Sequence, residues 1–313
     1  MLHKADVKCA PSKEYKDGSC FTEPILKKIA LNYNKQNQNK ININGGKKEL
    51  VNELSVKLAD KCSDQVCWLR LDIVKELENE DLEEIEENTF RPKGPSKKYE
   101  WLSTNHINEV IQQYHDIYND FLFLGAVPLD FEELPILGLH NINYKNFEDK
   151  KKFKIGLVIN LDEHNKNGSH WVSLFFNLNK NQIYFFDSIG TRPPKKIRHF
   201  INSIIKYLYY KKFNHELPIN DIVQKLKELE KLSESKKQEK IKSDKFLNNF
   251  INGGFDIRFN NIQHQFKNSE CGVYSINFII RLASGESFDN VINDITKDDI
   301  MNKNRSIYFR NVN

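Results

Sequence analysis

No run of apolar residues in this 313-residue chain reaches the roughly 18 needed to span a bilayer, so no transmembrane helix is expected. Residues 1–6 lack the apolar core of a secretory signal. Net charge is scarce too: 47 Lys and Arg against 43 Asp and Glu leave only +4. That is not the balance of a strong nucleic-acid binder, although it leaves room for weak contact through local basic patches. The five cysteines include no CxxC pair, so the spacing that marks a zinc module strongly is missing. An odd number of cysteines, one of them in a catalytic-looking context, suits a reducing compartment.

What the chain does have is core-forming bulk, 39% hydrophobic and 12% aromatic residues, over a length that suits one large domain or two. Residues 1–75 are expected to form a helical arm domain. Thr22 can cap a helix whose Ile25, Leu26, Ile29, Ala30 and Tyr33 share one face. Gly45-Gly46 opens a second helix with Leu50, Val51, Leu54 and Leu58 on one side, and a third carries Val66, Leu69, Ile73 and Leu77. Cys9, Cys20, Cys62 and Cys67 fall in this arm. A four-thiolate zinc site would staple such a small domain. The simpler reading is buried thiols, or paired ones if the protein is packaged in an oxidising particle. Lys27, Lys28, Lys35, Lys47 and Lys48 are read as a solvated helix face before a nucleic-acid surface. Residues 76–98, acidic and then rich in Pro, Gly and Lys, read as a charged linker. Residues 99–313 then form a second domain, in which 220–250 reads as an exposed helical insertion.

The β signal of the second domain is concentrated at 153–188. A strand over 154–161, a polar loop, a strand over 169–176, a turn centred at 178–180 and a returning strand over 182–188 describe covered central strands. A hairpin about that turn sets His170 opposite 187–190, so His170 and Asp187 meet at one end of the sheet. Further on, polar residues lead up to Cys271, and an apolar helix begins at once with Val273, Tyr274, Ile276, Phe278 and Ile279. The start of a helix offers unpaired N–H groups and the positive end of its dipole, which favours a thiolate. Gln265, six residues earlier, can aim an amide at the space in front of the sulfur, as an oxyanion donor should. A Cys–His pair makes the attacking group and an acid fixes the imidazole tautomer. Read singly, each residue has a bland explanation: a buried structural thiol, a core histidine, a strand-end cap. The order His, Asp, Gln, Cys with a helix after the Cys is far more specific.

Gly168-Ser169-His170-Trp171, Phe185-Phe186-Asp187-Ser188 and Gln265 followed after five residues by Cys271-Gly272-Val273-Tyr274 resemble the motifs of the SUMO-protease and adenovirus endopeptidase (adenain) superfamily of cysteine proteases. The likeness extends over about 99–310 and is stronger to the branch found in large DNA viruses such as African swine fever virus. It implies an α+β, papain-like cysteine protease fold, a central mixed sheet flanked by helices, with the N-terminal helical arm added. It further implies His170 as general base, Asp187 as orienting acid, Cys271 as nucleophile and Gln265 as oxyanion donor together with the Cys271 N–H. Some members of the viral branch carry Asn at the acid position; this chain has Asp. Cleavage after glycine, often Gly-Gly, in a tunnel walled by tryptophans is the family habit. Trp171 matches one wall, and Trp101 is the candidate for the other, with a plain core role as its rival.

The expected function is therefore that of a viral cysteine endopeptidase processing structural polyproteins after Gly-Gly or similar sites during virion maturation, in the virion and the host cytoplasm where particles assemble. Its rival is a SUMO or ubiquitin-like deconjugating protease with the same triad. The chemistry needs no cofactor, and the resemblance leaves open a peptide or DNA activator.

Overall fold

A computed structural model describes residues 8–310; the segment 1–6 lies outside them. The chain divides into two compact units, residues up to 117 together with those from 299 onward, and residues 118–298. The boundary expected within 76–98 is not where these units part.

In the first unit, α1 (Glu23–Gln36) and α2 (Lys47–Leu58) bury the stripes read from the sequence: Ile25, Leu26, Ile29 and Ala30 on one, Leu50, Val51, Leu54 and Leu58 on the other. Trp68 is buried and stacks on Phe21 with ring centroids 5.9 Å apart. The acidic run, expected as linker, is instead a helix, α3 (Asn79–Asn88), with Ile85 fully buried and Leu82 packed beside this core. Leu82 and Ile85 stand three apart, enough for an apolar stripe under a charged face. Part of that charge is met within the unit, by Lys28 on Asp81 at 2.6 Å and by Lys13 on Glu84. α4 (Thr104–Gln112) starts on a capping box between Ser103 and His106. A C-terminal helix, Asp298–Tyr308, buries Arg305, which donates to Glu100 O at 2.7 Å, while Asn302 donates to Lys98 O at 2.8 Å. These bonds tie 98–100 to the C-terminal helix within the first unit.

The four arm cysteines form two disulfides, Cys9–Cys20 and Cys62–Cys67. Their sulfurs are consumed in pairs, so a four-thiolate zinc site is not formed, and the reducing-compartment expectation does not match the arm. The physical reason is proximity: each pair brings its Cα atoms to 5.3 and 5.5 Å, the usual span of a disulfide. Among the described residues no group of three or more His, Cys, Asp or Glu could hold a metal ion. Lys27 pairs with Glu23, Lys28 with Asp81, and Lys47 donates to Ser19 O, so much of the basic helix face is engaged inside the arm.

The second unit is built on a five-stranded mixed sheet in the order β1 (Phe121–Val127), β2 (Lys154–Asn160), β3 (Trp171–Asn177), β4 (Gln182–Phe186), β5 (Asp256–Phe259). β1–β2 and β4–β5 are parallel, and the central β2–β3–β4 meander is antiparallel. Alternate residues of each strand serve opposite faces. Ile155, Leu157, Val172, Leu174, Phe176, Ile183 and Phe185 pack into one core with Ile197, Phe200, Ile204 and Leu208 of α5 (Lys195–Phe213). The segment expected as an exposed insertion is three helices, α6 (Ile219–Leu229), α7 (Glu234–Ser243) and α8 (Lys245–Asn252). It is not simply exposed: Ile222, Leu229, Ile241 and Leu247 join that same core, leaving the Lys- and Glu-rich faces to solvent.

The opposite face carries α9 (Cys271–Ala283), the helix after the cysteine. Ser173 of β3 donates to Ser275 O at 3.3 Å, and Phe186 of β4 stacks on Phe278 at 4.8 Å. Gly156 of β2 lets α9 come this close: a Cβ there would stand 2.9 Å from Ile279 Cγ2 and 3.2 Å from the Phe121 ring.

Candidate active site

The β3–β4 register, Ser173 opposite Phe186 and Asn177 opposite Gln182, carries His170 and Asp187 to the same end of the sheet, as the hairpin spacing predicts. His170 Nε2 meets Asp187 Oδ1 at 2.7 Å, with the His170 side chain 13% and the Asp187 side chain 1% exposed. Cys271, buried at the first position of α9, interacts with the same imidazole. With Nε2 held by the acid, Nδ1 is the ring nitrogen left to face the sulfur. His170, Asp187 and Cys271 thus come together from three separate elements.

The electrostatics follow from these contacts. Burial works to lower the His170 pKa, but the hydrogen bonds to Asp187 and Cys271 and their charges overcome it and raise it to about 9. Burial works to raise the Asp187 pKa. Hydrogen bonds from His170, the Thr191 hydroxyl and the Ile189 N–H overcome that and hold the carboxyl below its usual value. At neutral pH the pair is an imidazolium on a carboxylate, with Cys271 in interaction with the same ring. A cation beside sulfur is the partner an attacking thiolate needs.

The end of β4 is braced further. Asn260, buried just beyond β5, accepts the Asp187 N–H through Oδ1 at 2.8 Å and donates through Nδ2 to Asp187 O at 2.7 Å and Ile262 O at 2.9 Å. Gly190 closes the following turn at φ +82°, where a Cβ would sit 3.0 Å from the Ile262 carbonyl carbon. Ser188 O accepts the N–H groups of His264 and Gln265, both at 2.8 Å. The Ser188 hydroxyl donates to Gln265 Oε1 at 2.7 Å, and Gln265 Nε2 donates to Lys267 O at 2.6 Å. The side chain of Gln265 is therefore buried, oriented and fixed in its amide sense, and one Nε2 hydrogen remains beyond the bond to Lys267.

Trp171 follows His170 at the head of β3, on the register position that shares Ser173's α9-facing side, and is 6% exposed. Trp101 lies in the first unit and is 45% exposed, so a core role for it is ruled out. His264, beside Gln265 in the sequence, is a core residue: it packs edge-on against Phe186 and Tyr274. Asn260, Ser188, Thr191 and Asp298 were not singled out from the sequence; only Ser188, inside the Phe-Phe-Asp-Ser motif, carried any signal.

A buried Cys–His–Asp constellation with a fixed glutamine beside it, on a mixed sheet with the nucleophile opening a helix, defines a papain-like cysteine peptidase. The comparisons with known proteins agree. The profile of the Ulp1 protease family, C-terminal catalytic domain, matches residues 140–312, and the chain belongs to that family. It is 34% identical over 321 aligned positions to a protein of Acanthamoeba polyphaga mimivirus named as a thiol protease, covering 97% of this chain and 93% of that one. It is 23% identical to a protein of African swine fever virus named SUMO-1 cysteine protease, covering 84% of this chain and 88% of the relative. The fold is also that of the crystal structure of the African swine fever virus protease, with a TM-score of 0.58 at 19% identity over 96% of this chain and 95% of the other. The protein is a cysteine peptidase.

Proposed function

We propose that the protein is an endopeptidase that cuts structural polyproteins after Gly-Gly or similar small-residue sites during virion maturation, acting in the assembling particle and the surrounding host cytoplasm. The observation that carries the chemistry is the buried His170–Asp187 pair with Cys271 interacting with the same imidazole. Cys271 Sγ attacks the carbonyl carbon of the glycine. The resulting oxyanion is held by the Cys271 N–H and by the second Nε2 hydrogen of Gln265. His170 passes its proton from Nδ1 to the leaving amine as the C–N bond breaks, leaving a thioester on Cys271. Water then attacks the thioester with His170 taking its proton, and the C–S bond breaks to release the acid. Asp187 keeps the ring oriented and balances its charge throughout. Trp171 beside His170 supplies a flat wall that admits residues without side chains, which would favour glycine.

The helical arm supports polyprotein processing. The likeness to the two viral proteases runs through nearly the whole chain, whereas the shared protease domain alone covers residues 140–312. The name of the African swine fever virus relative favours the second reading, a deconjugating protease for SUMO or a ubiquitin-like tail. Purified protein offered a peptide library centred on Gly-Gly and a fluorogenic SUMO or ubiquitin conjugate separates them. Turnover of short peptides with weak action on the folded conjugate is expected. Strong preference for the conjugate would make it a deconjugase, and turnover by Cys271→Ala would overturn the active site itself.

A further inference from the structure

Within the proposed site, the two donors of the oxyanion hole come from different elements: Gln265 from the loop before α9, and the Cys271 N–H from α9 itself. Something must hold that loop at the right height above the helix. Asp298, 7% exposed, sits where it can. Its Oδ2 accepts two successive N–H groups, Phe266 at 2.9 Å and Lys267 at 3.1 Å. Its Oδ1 faces the hydroxyl of Tyr274 at 3.4 Å. Tyr274 lies on α9, one turn after Cys271, and its hydroxyl also reaches Thr296 O at 2.7 Å and His264 O at 3.1 Å. Lys267 is the link to chemistry: its N–H is held by Asp298 while its carbonyl accepts from Gln265 Nε2 at 2.6 Å.

We infer that Asp298 is a positioning residue for the oxyanion hole, pinning the Phe266–Lys267 backbone so that Lys267 O in turn aims the Gln265 amide over the Cys271 N–H. The inference rests on the oxyanion role proposed for Gln265. Asp298 touches neither the imidazole nor the sulfur, so its loss should weaken the tetrahedral intermediate and leave the nucleophile alone. Phe266 is 74% exposed, so water can replace the lost acceptor and the loop relaxes outward instead of unfolding.

The test uses the full chain and three readouts: steady-state peptide cleavage, alkylation of Cys271 by iodoacetamide, and affinity for a peptide aldehyde that forms a hemithioacetal. Asp298→Ala is expected to lower kcat about 10- to 100-fold with KM within about threefold, in the range of a weakened oxyanion donor. Aldehyde affinity should fall in parallel, while the alkylation rate, which needs no oxyanion hole, stays within about twofold. Asp298→Asn, which keeps one oxygen for the two N–H groups, should fall between wild type and Ala. It carries the same test if the Ala variant does not fold. In a Gln265→Ala background Asp298→Ala should cost little more, because both act through one donor. A parallel fall in alkylation, an unchanged kcat, or full additivity with Gln265→Ala would overturn the inference. If Gln265→Ala itself left kcat unchanged, the oxyanion reading would be the part that failed.

Discussion

Replacing Asp187 by Asn isolates the charge of the acid from its geometry. Oδ1 already accepts the Ile189 N–H and meets His170, and the Thr191 hydroxyl bonds Oδ2. Asn can keep its oxygen on His170 and Ile189 and turn its amino group to the Thr191 oxygen, so the imidazole stays in place. What is lost is the negative charge that helps raise His170 to about 9. The ordinary histidine value is about 6.5, so the shift is worth on the order of 3 kcal/mol between the two protonation states. If the imidazolium–thiolate pair is the active form, the alkaline limb of kcat/KM for the native enzyme lies near 9. In Asp187→Asn it should fall toward the unperturbed value. A limb at about 6.5 means roughly tenfold less activity at pH 7.5 but within about twofold of native at pH 6. The pH profile of iodoacetamide alkylation should move with it. The same shift bears on stability: because the folded pKa lies above the unfolded one, the stabilisation is complete below about 6.5 and is lost as pH rises through about 9. Thermal midpoints should therefore fall from pH 6.5 to 9 in the native protein and be flatter in the variant. An unmoved alkaline limb, or a loss of activity equal at every pH, would refute the reasoning.

Three further outcomes follow from packing and backbone bonding. Asn260→Ala strips a buried clamp from both backbone polar groups of Asp187; at about 1–3 kcal/mol per unsatisfied group it should lower the melting temperature and the activity together, read by calorimetry and peptide turnover. Gly156→Ala drives a methyl into Ile279 and Phe121 and should cost about 1–3 kcal/mol, with lower kcat as α9 shifts on the sheet. Reduction of the arm disulfides should lower the stability of the arm, and with it the urea midpoint, by about 3 kcal/mol for the Cys9–Cys20 loop and about 2 for the shorter Cys62–Cys67 loop. Tryptophan fluorescence in urea, with and without reductant, in a Trp101→Phe/Trp171→Phe background that leaves Trp68 alone, measures it.

The candidate catalytic residues were legible because each sits where a period changes. His170 and Asp187 flank a hairpin whose length sets their meeting, and Cys271 stands where polar sequence gives way to an apolar helix. The strands themselves read correctly because they are apolar on both faces. The acidic run around Ile85 did not, since eight charges in twelve residues hide a two-residue stripe that only a partner surface makes useful. The 220–250 segment failed for a similar reason: its buried Ile222, Leu229, Ile241 and Leu247 are spread over three short helices among lysines. Pairing of the cysteines depends on distances across the arm, which spacing does not contain. Asn260 and Asp298 act from far along the chain on backbone groups, and side chains that bond to distant backbone leave no pattern in the sequence.

The end of β4 joins functions that a triad treats separately. Asp187 and Ser188 are consecutive. One orients His170, while the other holds Gln265 by its backbone carbonyl and its hydroxyl. Asn260 then grips the Asp187 peptide on both sides. The acid and the proposed oxyanion donor therefore depend on the same two residues, and a shift of this turn moves both. Asp298 secures the far side of the Gln265 loop through Phe266 and Lys267. Gln265 is thus held at two ends, by the turn that carries Asp187 and by Asp298. Geometry fixed from both ends costs no reorganisation when charge develops on the substrate oxygen, which is what electrostatic stabilisation of a transition state demands.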